Sequence, residues 1–215
     1  MFKKLILPVL LAAAIFTPYT YADVSGSVGV SSDYFYRGVS QNDGNTALDL
    51  GLSWTGDGFY AGAWGSQVDF GNEVDYEYDF FAGYALAVTD KMNINVGLIQ
   101  YNYDSLIEET EEVFAKVDFG NVSFAHSVNL DNSDLTFTQV EYQLPFITQV
   151  DVSVIAAMHS DESAAAMGAG DNQKYVGVSL TKDLGKNFSI SAMIMDSARH
   201  GDMMDNASIG LRYNF

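Results

Sequence analysis

The chain has 215 residues, with 10 basic side chains against 28 acidic ones, a net charge of −18 and no cysteine. That balance argues against a nucleic-acid partner, since such binding rests on cations set against phosphates. The missing cysteines exclude a disulfide framework, a thiolate metal site and a cysteine nucleophile.

At the start of the chain, Lys3 and Lys4 precede the apolar run Leu5–Phe16, and Thr20-Tyr21-Ala22 offers a small-x-small cleavage site. The pattern predicts a secretory signal peptide over residues 1–22 and a single mature domain over 23–215. Removing residues 1–22 with their two lysines leaves 8 basic against 28 acidic residues, a net charge of −20. The apolar run is too short for a spanning helix, which needs ~20 residues, and no other stretch comes closer. A place in a membrane then requires a barrel, because an open sheet leaves unpaired backbone groups in hydrocarbon. The 13 Tyr, 14 Phe and 19 Gly suit twisted sheet and interfacial aromatic belts.

Alternation and turn residues predict twelve strands, at 24–37, 46–55, 58–69, 74–88, 91–102, 111–118, 121–130, 135–144, 149–159, 173–182, 187–196 and 206–215. The count is even, as in bacterial single-chain barrels. The connections alternate as well. Gly56-Asp57, Thr89-Asp90, Gly120-Asn121, Pro145–Thr148 and Asp183–Lys186 are short. Those at 38–45, 70–73, 103–110, 131–134, 160–172 and 197–205 are mostly longer and more polar. Short inner turns and longer outer loops distinguish a barrel from a sandwich, whose strands show the same alternation of faces. The last stretch, Asn206–Phe215, alternates without a break and stops on an aromatic. It resembles the C-terminal strand of Gram-negative outer-membrane barrels. That likeness implies an outer-membrane location, lipid and lipopolysaccharide as surroundings, and the barrel-assembly machinery as a partner of the strand ending at Phe215. The predicted fold is thus all-β, a closed antiparallel up-and-down transmembrane β-barrel of about twelve strands.

The apolar parity assigns outward faces such as Leu48, Leu50, Leu52 and Trp54, or Val150, Val152 and Val154. Trp54, Tyr142 and Tyr213 would then form an inner aromatic belt, and Tyr34, Tyr36, Tyr76 and Tyr78 an outer one. The seventh strand places His126 on the lipid side, which implies either a slip of parity or a facing subunit. The opposite parity predicts a lumen containing Asp33, Arg37, Asp49, Gln67, Asp69 and Asp75, then Glu77, Asp79, Lys116, Gln139, Glu141, Asp151 and Arg212. Charges in a narrow interior persist only if paired or wet, so Arg37, Lys116 and Arg212 are expected to bridge to carboxylates across the bore. Twelve strands lie between filled eight-stranded barrels and open porins, which predicts a narrow or partly occluded bore.

Glu73, Asp75, Glu77 and Asp79 alternate on one face, about 7 Å apart by strand geometry. They fit a cation-attracting lane or a wet wall. Glu108, Glu109, Glu111 and Glu112 read as a solvated loop, able to meet lipopolysaccharide phosphates through divalent cations. Asp131-Asn132-Ser133-Asp134 lacks the glycine and distal glutamate of a calcium loop and reads as a hairpin turn. Met158, His159, Met167, Met193, Met195, His200, Met203 and Met204 gather near the outer ends of the last strands. Thioether and imidazole suit Cu(I), with His159 and His200 the candidate ligands, while methionine on strands is more often plain packing. No cofactor is expected. His126 and Ser127 diverge across their strand and no G-x-S-x-G occurs, so the sequence predicts no enzyme.

The segment Ser32-Asp33-Tyr34-Phe35-Tyr36-Arg37-Gly38-Val39-Ser40-Gln41 resembles the opening motif of a conserved-hypothetical proteobacterial family (Gcw-type). The likeness continues through Gly58–Gly62, Trp64, Ser66, Val68-Asp69-Phe70, Glu77-Tyr78-Asp79 and Gly83-Tyr84, which covers the first four strands. It implies a small outer-membrane β-barrel and brings no catalytic residue with it. Within the motif, Asp33 and Arg37 share the inward parity, and Arg37 is expected to pair with Glu77 or Asp79. The functional expectation is a porin-like channel for small, polar or cationic solutes. In it Asp33, Asp69, Asp75, Glu77 and Asp79 attract, while Arg37 and Arg212 narrow the bore. The alternative is a non-conducting barrel whose outer loops bind a ligand, metal or partner.

Overall fold

The computed structural model describes residues 22–71, 73–105, 109–160, 174–197 and 207–215. The predicted signal peptide up to residue 21 lies outside the described residues, as do Glu108, Met167, His200, Met203 and Met204. In chain order the strands are β1 (Asp23–Ser31), β2 (Phe35–Tyr36), β3 (Val39–Ser40), β4 (Ala47–Gly56), β5 (Phe59–Gln67), β6 (Tyr76–Thr89) and β7 (Met92–Tyr103). There follow β8 (Thr110–Phe119), β9 (Val122–Asn129), β10 (Thr136–Gln143), β11 (Asp151–His159), β12 (Lys174–Gly185), β13 (Phe188–Ser197) and β14 (Ala207–Asn214). Twelve of these close into an antiparallel barrel, and β2 with β3 forms a separate two-stranded hairpin. β14 returns to β1 from Ser27↔Asn214 to Ser31↔Gly210. Gly26 and Phe215 exchange backbone hydrogen bonds of 2.8 and 2.9 Å at the seam. The ring therefore presents no free edge to lipid.

The barrel is apolar outside and mixed inside. Leu50 is 63% exposed while its neighbour Asp49 is 9% exposed, the reverse of a soluble protein's core. The inner end carries the aromatic pairs Phe59–Tyr84 and Phe188–Tyr213, with ring centroids 4.8 and 4.9 Å apart. The outer end carries Tyr76, Tyr78 and Phe80. The turns Asp57-Gly58 and Lys186-Asn187 have positive φ at both positions, which matches the strand twist in two-residue hairpins. His126 keeps its outward parity without a slip. Its Nδ1 lies 2.9 Å from the Thr138 hydroxyl on β10, so the wall itself supplies its polar partner.

One predicted element is wrong. The first strand ends at Ser31, not at residue 37, and the following residues, expected at the strand end and in an outer loop, fold into the lumen. Tyr34 and Tyr36 consequently belong to the interior and not to the outer belt. The cause is legible in the composition. Tyr34-Phe35-Tyr36 is aromatic on both parities, and a barrel strand offers lipid to one parity only. The outer halves of β10 to β13 meanwhile turn Phe137, Ile155, Ala157, Tyr175, Met193 and Met195 inward, and with Phe35 these make a buried cluster. An apolar wall facing an apolar insert removes both from water.

A charge on the lipid side should be far more damaging than one in the bore. Leu50→Arg is expected to cost about 2–4 kcal/mol, measured by urea unfolding in lipid vesicles. Ser53→Arg, facing inward on the same strand, should stay within about 1 kcal/mol of the parent.

Candidate pore and its internal hairpin

The interior is organised by the hairpin of β2 and β3. Arg37 and Gly38 form its tip with φ of 49° and 85°, the paired positive values of a tight two-residue turn. Gly38 is required there twice over, since a Cβ would lie 2.6 Å from the Tyr175 ring. At the base, the Ser40 hydroxyl donates to Asp33 at 2.8 Å and Gln41 N–H donates to the Tyr34 carbonyl at 2.7 Å. Ser208 on β14 donates to the Asp33 carbonyl at 2.7 Å, which ties the hairpin to the seam. Burial lifts the Asp33 carboxyl above the usual aspartate range, against the opposing Ser40 hydrogen bond.

The tip crosses the bore to the far wall. Arg37 Nη1 donates to Glu112 Oε1 at 2.8 Å and Nη2 bonds Glu112 Oε2, a two-pronged contact with β8. Ser127 on β9 lies 3.0 Å from Nη2. The guanidinium also stands 4.4 Å over the Phe137 ring and 4.7 Å over Tyr36. His159 Nε2 donates to the Arg37 carbonyl at 3.1 Å, and Tyr36 donates to the Tyr101 hydroxyl at 2.7 Å. Five strands of the wall, from β7 to β11, thereby hold one turn.

Arg37 therefore pairs with Glu112 and not with Glu77 or Asp79. Glu112 was expected in a solvated loop, and instead it faces inward on β8 at 8% exposure. The other two bases pair locally and not across the bore: Arg212 reaches Asp49 at 2.7 Å and Ser27 at 2.9 Å, and Lys116 reaches Asp118 at 3.1 Å. Of the alternating acidic column, Glu77 and Asp79 are buried in the lumen, while Glu73 and Asp75 are exposed before the start of β6. Asp69 is likewise exposed on the outer rim, where it accepts from Gly71 N–H at 2.9 Å. Gln67 takes the outward parity opposite Tyr76. His159, Met193 and Met195 are packing and anchoring groups around the hairpin. Among the described residues no three His, Asp or Glu side chains converge as a metal site.

A slot of about 80 Å³ lies between the hairpin and the wall of β12, β13, β14, β1, β4 and β5. Its lining is mostly small and hydroxylated, with Ser66, Thr181, Ser189, Ser191 and Ser208, and it includes Asp33, Asp49, Trp64 and Arg212. Small side chains on this side are why the space survives. The inward Glu112, Ser127, Phe137 and Tyr175 were missed as site residues by sequence reasoning. The available signal was the run of inward apolar positions on β11 to β13, which a wholly wet bore does not need.

Solved outer-membrane barrels share this architecture. The KdgM porin in complex with disordered oligogalacturonate matches with a TM-score of 0.62 at 10% identity, covering 91% of this chain and 99% of that one. The outer membrane protein Omp33 of Acinetobacter baumannii matches with a TM-score of 0.54 at 10% identity, over 89% of this chain and 96% of its own. At such identities the likeness concerns the fold: a closed twelve-stranded outer-membrane barrel. No curated protein matches the chain in sequence. With its lipid-facing exterior and porin fold, the chain is a protein of the bacterial outer membrane. A family model matches residues 14–208, and the chain accordingly belongs to that family, the bacterial proteins of unknown function Gcw_chp.

Proposed function

We propose that this barrel is an outer-membrane channel for small polar solutes with a preference for cations, and that its hairpin narrows the outer half of the bore. The observation that carries this reading is the charge pattern of the lumen. Arg37, Lys116 and Arg212 are each held by a carboxylate. Glu77, Asp79, Glu141 and Asp151 face the same interior with no ion-pair partner among the described residues. A bore with a surplus of unpaired acids concentrates cations and repels anions. The oligogalacturonate held by the KdgM porin is a polyanion, and this lumen has the wrong sign for one. The proposed solute path is the hydroxyl-lined slot beside the hairpin, whose Ser and Thr side chains offer hydrogen-bonding partners to a polar solute. The final strand ending at Phe215 is proposed to be read by the barrel-assembly machinery, and the exposed acids of the outer rim to meet lipopolysaccharide phosphates through divalent cations.

Planar-bilayer recording of the refolded protein under a KCl gradient tests the proposal. Small, stable steps are expected, with a reversal potential of cation-selective sign that falls toward zero in Glu141→Gln with Asp151→Asn. A folded, heat-modifiable barrel that passes no current would overturn the channel and favour the second reading, a loop-displaying barrel closed by its three interior apolar clusters.

The Arg37–Glu112 pair gives a further prediction. Arg37→Ala or Glu112→Gln each leaves a buried partner uncompensated, at a cost of about 3–5 kcal/mol. Both should lower stability to urea in vesicles and raise mean conductance as the tip detaches. Arg37→Met with Glu112→Leu should recover most of the stability, because an apolar pair needs no compensation.

A further inference from the structure

Glu77 and Asp79 are 3% and 5% exposed, and each keeps a side-chain oxygen, Oε2 of Glu77 and Oδ1 of Asp79, with no hydrogen-bond partner. They sit on one face of β6, two residues apart, and no described cation pairs with either. Two adjacent carboxylates out of water, unpaired, are costly by several kcal/mol. Their surroundings supply further oxygen. On β7, Tyr103 stands directly opposite Glu77 and Tyr101 opposite Asp79, and on β5, Ser66 stands opposite Glu77. The Tyr103 hydroxyl lies 3.4 Å from Glu77 Oε1, and Tyr34 of the hairpin base also faces Glu77.

We infer that Glu77 and Asp79 form the core of a binding site for a hard divalent cation of the Ca2+ class, capped by Tyr34 of the internal hairpin. The donors are all oxygen, with no thioether or imidazole among them, which selects hard cations over copper or zinc. When both are ionised, the two carboxylates carry a charge of −2, which matches a divalent ion. Carboxylate, phenol and hydroxyl oxygens on β6, β7 and β5 favour the adaptable coordination of Ca2+ over the strict octahedron of Mg2+. The exposed Asp75 and Asp104, joined at the rim by the Asp75 N–H to Asp104 Oδ1 bond of 3.1 Å, mark the way in from outside. Because Tyr34 belongs to the hairpin, the bound ion fixes the base of the insert as Glu112 fixes its tip. The site does not require conduction and would exist in a closed barrel; in a conducting one, an ion held there leaves Glu141 and Asp151 as the acids that set the cation preference.

The tyrosines themselves report on it. In detergent micelles free of lipopolysaccharide, Tb3+ added to the refolded barrel should show emission sensitised by tyrosine, displaced by Ca2+ at a concentration at least tenfold below that of Mg2+. Glu77→Gln and Asp79→Asn should each reduce that emission at least tenfold, whereas Glu109→Gln with Glu111→Gln, on the exposed rim, should leave it intact. Ca2+ should raise the Tm of the parent by about 4 °C or more and leave Asp79→Asn unmoved. Emission unaffected by Glu77→Gln and Asp79→Asn, or a parent stabilised by acid and not by Ca2+, would overturn the site and show that the two carboxyls hold protons instead. Where a variant fails to refold, Tyr103→Phe keeps the test open: it should weaken emission severalfold, and unchanged emission would count against the site.

Discussion

Everything in this molecule follows from the requirement that no backbone N–H or C=O face hydrocarbon unpaired. Closure of β1 on β14 meets it, down to the paired Gly26 and Phe215 at the seam. Closure in turn fixes the parity of every residue in the wall, since a shift of one would send Asp49, Glu112 and Arg212 into lipid. His126 shows how firm that parity is. The ring stays on the lipid side and takes its polar contact from Thr138 on the neighbouring strand, and the ladder keeps its register.

With the wall fixed, its bore is left to be filled. The insert between β1 and β4 fills the outer half, and its tip carries two local costs. Arg37 adopts a left-handed backbone, unfavourable by roughly 1 kcal/mol for a residue with a Cβ, and both members of its ion pair are stripped of water. Glu112, Ser127, two aromatic faces and the His159 contact to its carbonyl offset those costs together. Such a pair is seldom the most stabilising choice, since an apolar one can do as well. What it supplies is position: a forked donor meets a forked acceptor in one orientation, so the tip has one resting place on the far wall.

The barrel was legible in the sequence because its signals are local. Period-two alternation, turn residues and the contrast of short and long connections located eleven of the twelve wall strands closely. The hairpin was not, because strand parity treats a wall segment and an insert alike. Asp33 to Arg37 alternates well enough to extend the first strand, and only the count of partners reveals that Tyr34, Phe35 and Tyr36 need burial on every side. The same blindness misplaced Asp69 and Asp75. Parity says which way a residue points but not where the ladder stops, and both lie beyond the strand ends at the rim. Glu112 shows the reverse error. An acidic run reads as a solvated loop, yet its last member lies in β8 opposite Asn129, and its partner is 75 residues away in the chain.

The position of the insert also decides how the proposed channel conducts. Swinging the hairpin out would expose Tyr34, Phe35 and Tyr36, at about 1.5–3 kcal/mol for each large apolar side chain, and would separate Arg37 from Glu112 at about 3–5 kcal/mol more. The sum is on the order of 10 kcal/mol, and each 1.4 kcal/mol is a factor of ten in population. The detached state is thus far too rare to carry steady flux. In the proposed channel, passage would run beside the hairpin, by way of the slot where serine, threonine and glycine leave room and which Asp33, Asp49 and Arg212 line. The selectivity of the open channel then belongs to that slot and to the acids below it. In that reading the hairpin sets the width by staying docked on the far wall.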